Sequence, residues 1–487
     1  MIRTTVIIVA ILLTAGGAFA QQETPVVKLT LHPAAEASPA LKYRLVPSYW
    51  ERKPGNAAPF YYRALLMHSQ NKDRESLQKE HAEKYEVWEG PVDDKTRAEM
   101  KAWAARFSQT IGGELREAVY REECDFDFRL RDRSGLQLIS FMLPEVQEVR
   151  GLARFLAVKA RVEIAEGRFD DALETLRHGY QISQDTGKEP LLINALVGVA
   201  IASIMNREVE QWVGSPDAPN LYWALTSLKH PFIDMQPAVE QEVRLAETFF
   251  PFLENVEQAE HSPDEWQRLL SDAVRQVHNN LQPLSSGIAA PLDEVPIDLL
   301  TTATVLRAYP ISRHELALQG FDAARLEKMP VVQVVAIHMQ RTARYLGDEF
   351  LKGAYLSPQQ RTEYYRQFTN RLDKQGYLGP GLSREPIALA SLLLPSVSQV
   401  FIAQTRLDRD IAALRVIEAI RAHLAATGTL PEKLSDITVL NVPHNPFTDE
   451  SFAYHLKGDR AILEVPSPSP QHAATGKRYE LTAAPKK

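Results

Sequence analysis

Two arginines, Arg154 and Arg161, are the residues whose type and spacing first suggest ligand binding. They stand seven residues apart in a segment with helical apolar periodicity, so both side chains lie on one side of the predicted helix. Guanidinium groups bind carboxylates through two parallel hydrogen bonds. The pair therefore predicts a clamp for a peptide carboxylate; the alternative is that both arginines are ordinary solvated surface residues.

A second candidate is the acid-rich segment around the single cysteine, Cys124. Glu122, Glu123, Asp125 and Asp127 flank it, and alternating carboxylates in a loop suit Ca²⁺ binding or the acid/base pair of a glycan-cleaving enzyme. Several arginines nearby in the sequence favour a solvated cluster that neutralises its own charge. Because no activating histidine is near Cys124, we expect a buried, small apolar side chain there.

Most signatures of catalysis are missing from the chain. It has no G-x-S-x-G elbow, no P-loop and no dinucleotide fingerprint. His314-Glu315 lacks the second histidine of a zinc-protease motif, and no two histidines stand four residues apart. The sequence therefore predicts no cofactor and leaves any catalytic residue unknown. It predicts no metal centre, unless distant segments assemble one.

Three aromatic residues close in sequence offer one further chemistry. Trp212, Tyr222 and Trp223 have rings of the kind that stack on sugars. Aromatic residues within helical segments more often pack between helices, so we expect these three to belong to the core.

The composition is that of an ordinary globular protein. Of 487 residues, 24% are charged and 45% hydrophobic, and the net charge of −7 argues against general nucleic-acid binding. One cysteine excludes an internal disulfide framework.

The N-terminal segment has the features of an export signal. Arg3 precedes an apolar run, and Ala18-Phe19-Ala20 forms a cleavage site, so we predict a secretory signal peptide and a periplasmic or extracellular product. Retention as a membrane anchor is the alternative. The best later apolar stretch, residues 387–405, is interrupted by Pro395, so we predict a core helix there and no integral span after cleavage.

Helical spacing of apolar residues dominates from position 59 onward and predicts a mainly α fold, an irregular stack of helical hairpins with a small C-terminal α+β hairpin module. A proline-rich stretch, 282–296, is the expected interior boundary. The predicted organisation is a signal peptide (1–20), an extended N-terminal arm (21–58), a repeat-like helical domain (59–281), a second helical region (282–405), a C-terminal helix plus β-hairpin module (406–465) and a flexible tail (466–487).

The segment Ala153–Thr186 is the most informative part of the chain. Its first helix carries Phe155 and Val162 on one side and Leu156 and Ala160 on the other, so it should be sandwiched between neighbouring helices. The unit resembles a tetratricopeptide repeat at Leu156, Ala160, Gly167, Phe169, Ala172 and Leu176. That resemblance implies stacked helix pairs with a concave peptide-binding face. An ordinary α-hairpin is the alternative, because the next pair follows at a different spacing.

Two further resemblances concern shape and location more than activity. The C-terminal helix, the Leu430-Pro431 segment and the following hairpin resemble the C-terminal part of type II secretion pseudopilins. The whole chain resembles uncharacterised exported bacterial proteins, through strings that include residues 124–126, 166–173 and 220–225.

Three functions follow as hypotheses. The first is a non-catalytic helical interaction or scaffold protein of the cell envelope, with a protein or peptide partner and no nucleic acid. The second is an exported hydrolase that acts on envelope polymers through acidic residues gathered from separate helices. The third, suggested only by the C-terminal shape, is a component of a secretion or surface assembly.

Overall fold

The structure is a computed structural model, and it is mainly helical with a small sheet. It describes residues 24–90, 92–107, 109–129, 137–249, 251–253, 255–281, 297–375, 377–379, 382–383, 390–468 and 470–485.

Fifteen helices, separated by turns and short strands, make up most of the described residues. In chain order they are α1 (Ala58–Ser69), α2 (Arg74–Trp88), α3 (Asp94–Ala105), α4 (Gln109–Val119), α5 (Gln137–Ala165), α6 (Phe169–Gly187), α7 (Leu192–Val213), α8 (Tyr222–Thr226), α9 (Gln236–Phe249), α10 (Pro263–Leu281), α11 (Ile297–Leu318), α12 (Ala323–Lys328), α13 (Val331–Ala354), α14 (Pro358–Gln375) and α15 (Ala390–Thr427).

The strands form one sheet of four strands and two small pairs within the described residues. They are β1 (Val26–Leu31), β2 (Lys53–Asn56), β3 (Arg121–Glu123), β4 (Tyr377–Gly379), β5 (Leu382–Ser383), β6 (Ala453–Lys457), β7 (Arg460–Val465) and β8 (Lys477–Ala483).

The chain folds into two compact units, and both are discontinuous in sequence. The smaller unit contains Phe128–Met142 and Ala238–Phe401. The larger unit contains Phe19–Asp127, Leu143–Pro237 and Ile402–Lys487. The predicted boundary at 282–296 lies outside the described residues.

Local sequence signals account for several helix ends. Asp93 begins α3, because its side chain accepts a hydrogen bond from the Thr96 backbone N–H at 2.7 Å. Gly167, between α5 and α6, has φ +71°, and Gly428, directly after α15, has φ +78°. Both glycines adopt the left-handed conformation that ends a helix with no Cβ penalty. The hairpin predicted over 144–186 is therefore present, with its turn where Gly167 places it.

Helix boundaries elsewhere differ from the sequence prediction. Apolar spacing predicts single helices over 59–87 and 95–122, but each of these segments divides into two helices. It predicts separate helices over 384–403 and 406–427, whereas the described part of the two segments, from Ala390 onward, is the single helix α15. Helix α11 was not predicted, and it contains Pro310 in its interior. The reason is physical: tertiary packing can hold a helix through a proline or across a polar break that local propensity disfavours.

The four-stranded sheet joins the two ends of the larger unit, in the order β1-β8-β7-β6. Strand β1 pairs in parallel with β8, with Leu29 opposite Leu481. The prediction of a flexible tail over 466–487 is therefore wrong, and part of the extended arm over 21–58 is a strand. Sequence reasoning missed this pairing because a strand's partner can lie anywhere along the chain.

The predicted C-terminal hairpin is confirmed as β6 and β7, which pair antiparallel. Strand β8 of the same sheet contacts α7 of the larger unit. Tyr479 donates a hydrogen bond to Glu210 of α7 at 2.6 Å, and Lys477 contacts the same carboxylate at 2.7 Å. Nearby, Glu418 of α15, which forms a buried ion pair with Arg421, accepts a hydrogen bond from the Leu221 N–H through its carboxylate. This close integration counts against a separate assembly module at the C-terminus.

The smaller unit has its own hydrophobic core. Trp266 of α10, Leu316 of α11 and Ile337 of α13 are fully buried in one cluster. Gln333 of α13 donates a hydrogen bond to the Val256 carbonyl at 2.9 Å, which connects α13 to the loop before α10.

One helix among the described residues, α7, is long and apolar enough to span a membrane by length and composition alone. About 67% of its apolar stretch is buried inside the protein. It packs closely on α6, because Gly198 brings its backbone against that of Ser183.

Candidate functional site

Helix α5 is the inner helix that the sequence predicted. Phe155 and Leu156, on its two sides, are both buried, which confirms the prediction that both are shielded. Phe155 stacks on Phe107 with ring centroids 4.2 Å apart. On the side of α6, Thr175 donates a hydrogen bond to Glu163 at 2.7 Å. Both apolar sides of α5 are therefore buried, and α6 contacts the helix at Glu163.

Arg161 is not on the surface, so the expectation that it projects outward with Arg154 is wrong. Only 3% of Arg161 is exposed, and its Nε and Nη2 each donate to the carboxylate of Glu208 on α7 at 2.8 Å. Its Nη1 donates to the Trp88 carbonyl. Burial raises the pKa of Glu208, and the charge of Arg161 opposes that rise. The carboxylate predicted for Arg161 is thus supplied by the chain itself.

Arg154 remains exposed, and two other arginines accompany it. Arg150 precedes it by one helical turn on α5, so their side chains are neighbours. Burial and the charge of Arg154 lower the pKa of Arg150. Arg207 of α7 lies over the Tyr85 ring at 6.0 Å. We refer to Arg150, Arg154 and Arg207 as the arginine cluster.

A histidine on α2 connects these arginines. Burial, together with the charges of Arg154 and Arg207, lowers the pKa of His81 to about 4. His81 is therefore neutral at physiological pH, and its ring lies 5.8 Å from the exposed ring of Tyr85. Three helices, α2, α5 and α7, thus bring cations and aromatic surface together.

The arginine cluster has few negative partners in the part of the chain that the structure describes. Neither Arg150 nor Arg154 forms an ion pair there, and Arg207 contacts only Glu89, at 3.5 Å. Arg161 contacts the same Glu89 carboxylate at 3.4 Å. The positive charge of this surface is therefore only partly balanced.

The acid-rich segment near Cys124 is occupied by contacts within the chain. Cys124 is buried, as expected, and burial with the negative charges of Asp185 and Glu189 raises the pKa of its thiol. Asp125 uses its carboxylate to accept from the Asp127 N–H at 2.8 Å. Within the described ranges, no group of three or more His, Cys, Asp or Glu side chains is arranged to hold a metal ion.

A charged cleft of about 550 Å³ lies at the start of α6 and was not predicted. Its lining residues come from a short helical turn, from β2, from the end of α4 and from α6: Glu51, Lys53, Arg116, Glu117, Tyr120, Asp170, Asp171 and Glu174.

Most of these carboxylates already have cationic partners. Glu174 lies 3.1 Å from Arg177, and Glu117 lies 3.4 Å from Lys53. Although burial alone raises the pKa of Glu174, its contact with His178 and the charge of Arg177 lower it to about 2. Glu174 is therefore ionised at neutral pH and is unsuited to donate a proton. No sequence signal brings these residues together, because they come from three stretches of chain that together span more than a hundred positions.

Of the three aromatic residues expected in the core, two are buried and Trp223 is only partly buried. Trp212 and Tyr222 are buried, which confirms the packing interpretation, and Trp212 donates to the Pro219 carbonyl at 2.8 Å. Trp223 donates to Glu36 at 2.7 Å. Sequence reasoning missed Trp50, which is 90% exposed and is the most exposed of several exposed aromatic residues among those described.

The smaller unit contains a serine–histidine contact. Ser312 Oγ lies 3.0 Å from His338 Nδ1, a distance suited to a nucleophile and its base. Both side chains are completely buried, so no substrate reaches this pair in the described structure.

Comparison with protein-family models, with curated proteins and with solved structures found no match for this chain.

Proposed function

We propose that the protein is a non-catalytic helical interaction protein of the cell envelope that binds an acidic protein segment at the arginine cluster. The observation that carries this proposal is the exposed Arg154 beside Arg150, neither of which has a carboxylate partner among the described residues. Guanidinium groups favour carboxylates because two parallel hydrogen bonds form with each. The neighbouring exposed ring of Tyr85 adds the apolar surface that interface anchors use.

Export and repeat character are part of the same proposal. The segment 1–20, which has the composition of a secretory signal, lies outside the described residues. A periplasmic or extracellular location would place the partner in the envelope. The α5–α6 hairpin followed by α7 supports a tetratricopeptide-like stack, in which the edge of α5 contributes to a docking face.

The test measures binding of a fluorescent hexaglutamate peptide by anisotropy. The double variant Arg150→Ala/Arg154→Ala should bind at least about tenfold more weakly, since charge-assisted hydrogen bonds contribute about 1.5–3 kcal/mol each. Added salt should weaken binding to the unmodified protein. Arg366→Ala removes an exposed arginine from α14 in the smaller unit and is the matched control.

Two results would overturn this function. One is hexaglutamate binding that the double variant retains in full. The other is an affinity of the unmodified protein for hexalysine that equals its affinity for hexaglutamate. Partners captured from an envelope extract should also be lost from the double variant and kept by Arg366→Ala.

An exported hydrolase of envelope polymers is the second candidate function. The charged cleft favours it, because carboxylates from separate helices line one cavity. The low pKa of Glu174 keeps its carboxylate ionised, as a nucleophile requires, and leaves the proton donor unassigned. Release of reducing ends from purified envelope polysaccharide, lost in Glu174→Gln, would support the hydrolase; no release from the unmodified protein would exclude it for that substrate.

A further inference from the structure

Two aromatic side chains are displayed to solvent on one short turn, residues Tyr49–Glu51. Trp50 is 90% exposed and Tyr49 is 72% exposed, and their rings meet edge to face with centroids 5.4 Å apart. An indole in this position forgoes the roughly 2–3 kcal/mol that burial of a large apolar side chain provides. Such an exposed pair is a marker of a binding surface.

The turn is held firmly on both sides. Glu51 accepts hydrogen bonds from the backbone N–H and the hydroxyl of Ser48, each at 2.7 Å. Arg52 donates to Gln181 of α6 at 3.1 Å, and β2, which follows, pairs with β3. Trp50 is therefore presented on a fixed support, which limits the entropy lost when a ligand binds.

Glu51 and Lys53, which follow Trp50 in the chain, line the charged cleft, so the cleft borders the turn that carries the aromatic pair. Five carboxylates, two cations and the Tyr120 hydroxyl make up its lining. An apolar protein side chain would have to remove water from these ion pairs, which costs more than it gains. The hydroxyl groups of a ligand can instead hydrogen-bond to the carboxylates, either directly or through bridging water molecules that stay in the cleft.

We infer that the Tyr49–Trp50 turn and the charged cleft form a binding site for a neutral polysaccharide chain. One sugar ring lies with its apolar face on the Trp50 indole. Hydroxyls of the adjoining sugars donate to carboxylates of the cleft, such as Glu117 and Glu174. Because carboxylates outnumber cations in the lining, an acidic polysaccharide is disfavoured.

Isothermal titration of the full chain with neutral β-1,4-linked hexasaccharides of glucose and of N-acetylglucosamine tests this site. Trp50→Ala should weaken binding by at least about tenfold, while its melting temperature stays unchanged because the side chain is exposed. Tyr355→Ala is the control, since Tyr355 is a 70% exposed aromatic in the smaller unit. A hexasaccharide of uronic acid should bind more weakly than the neutral ones.

Salt and a peptide distinguish this site from a protein-binding surface. Affinity for a neutral sugar should change little between low and high salt, whereas binding of hexalysine would fall steeply. Failure of both neutral hexasaccharides to bind, or equal binding by Trp50→Ala, would overturn the inference. Hexalysine binding that depends on Trp50 would reassign the surface to a basic protein segment and would overturn it as well.

Discussion

Replacement of Arg161 by alanine should destabilise the larger unit severely, because it leaves the Glu208 carboxylate, only 1% exposed, without its counter-charge. Removing one partner of a buried ion pair typically costs about 3–5 kcal/mol. For a unit of this size, that corresponds to a melting temperature lower by roughly 6–10 °C. Arg154→Ala, two turns earlier on the same helix, should change stability by no more than about 0.5 kcal/mol, because Arg154 is exposed.

The loss in Arg161→Ala should depend on pH. Burial already raises the pKa of Glu208, and without Arg161 only the weaker effect of the Arg207 charge opposes that rise. A carboxyl with a raised pKa binds more protons in the folded than in the unfolded state, so its stability contribution falls as pH increases through the folded pKa. We therefore expect a smaller loss at pH 5 than at pH 8.

Thermal unfolding followed by circular dichroism measures both effects. The double variant Arg161→Met/Glu208→Leu should recover most of the lost stability, because an apolar pair of similar volume replaces the buried charges. Equal melting temperatures of Arg161→Ala and Arg154→Ala would refute the buried-pair reasoning. A loss in Arg161→Ala that is identical at pH 5 and pH 8 would refute the assignment of that loss to an unpaired Glu208 carboxylate.

Three further predictions concern packing, the sheet and the cysteine. Gly198→Ala should cost about 1–3 kcal/mol in urea unfolding, because its new Cβ would lie 2.7 Å from a backbone carbonyl of α6; Gly113→Ala, with open space around it, should not destabilise. Tyr479→Phe should lower the free energy of unfolding by about 1.5–3 kcal/mol through loss of the 2.6 Å hydrogen bond to Glu210, and an unchanged urea midpoint would contradict that bond. Cys124 should react slowly with a thiol reagent at pH 8 in the native protein and fully in denaturant; equal rates would show that it is not buried.

The two arginines of α5 show what residue spacing can and cannot predict about a site. Helical spacing predicted that Arg154 and Arg161 share one side of α5, and a charged side chain at either position was expected on the surface. Whether each arginine is exposed depended on which helix packs over it. Glu208 covers Arg161, while no described carboxylate pairs with Arg154, and the spacing of the two arginines contains no information about that difference.

Short-range structure was determined by the sequence itself. The 3.6-residue period, the left-handed Gly167 turn and the alternation before and after Gly458 depend on a few neighbouring residues, so the α5–α6 hairpin and the β6–β7 hairpin were predictable. Only the tertiary structure decided that β1 pairs with β8, that α15 is continuous, and that Trp50 stands beside a charged cleft. These features join residues separated by tens to hundreds of positions. Their energies come from packing and pairing between distant segments, which local periodicity does not encode.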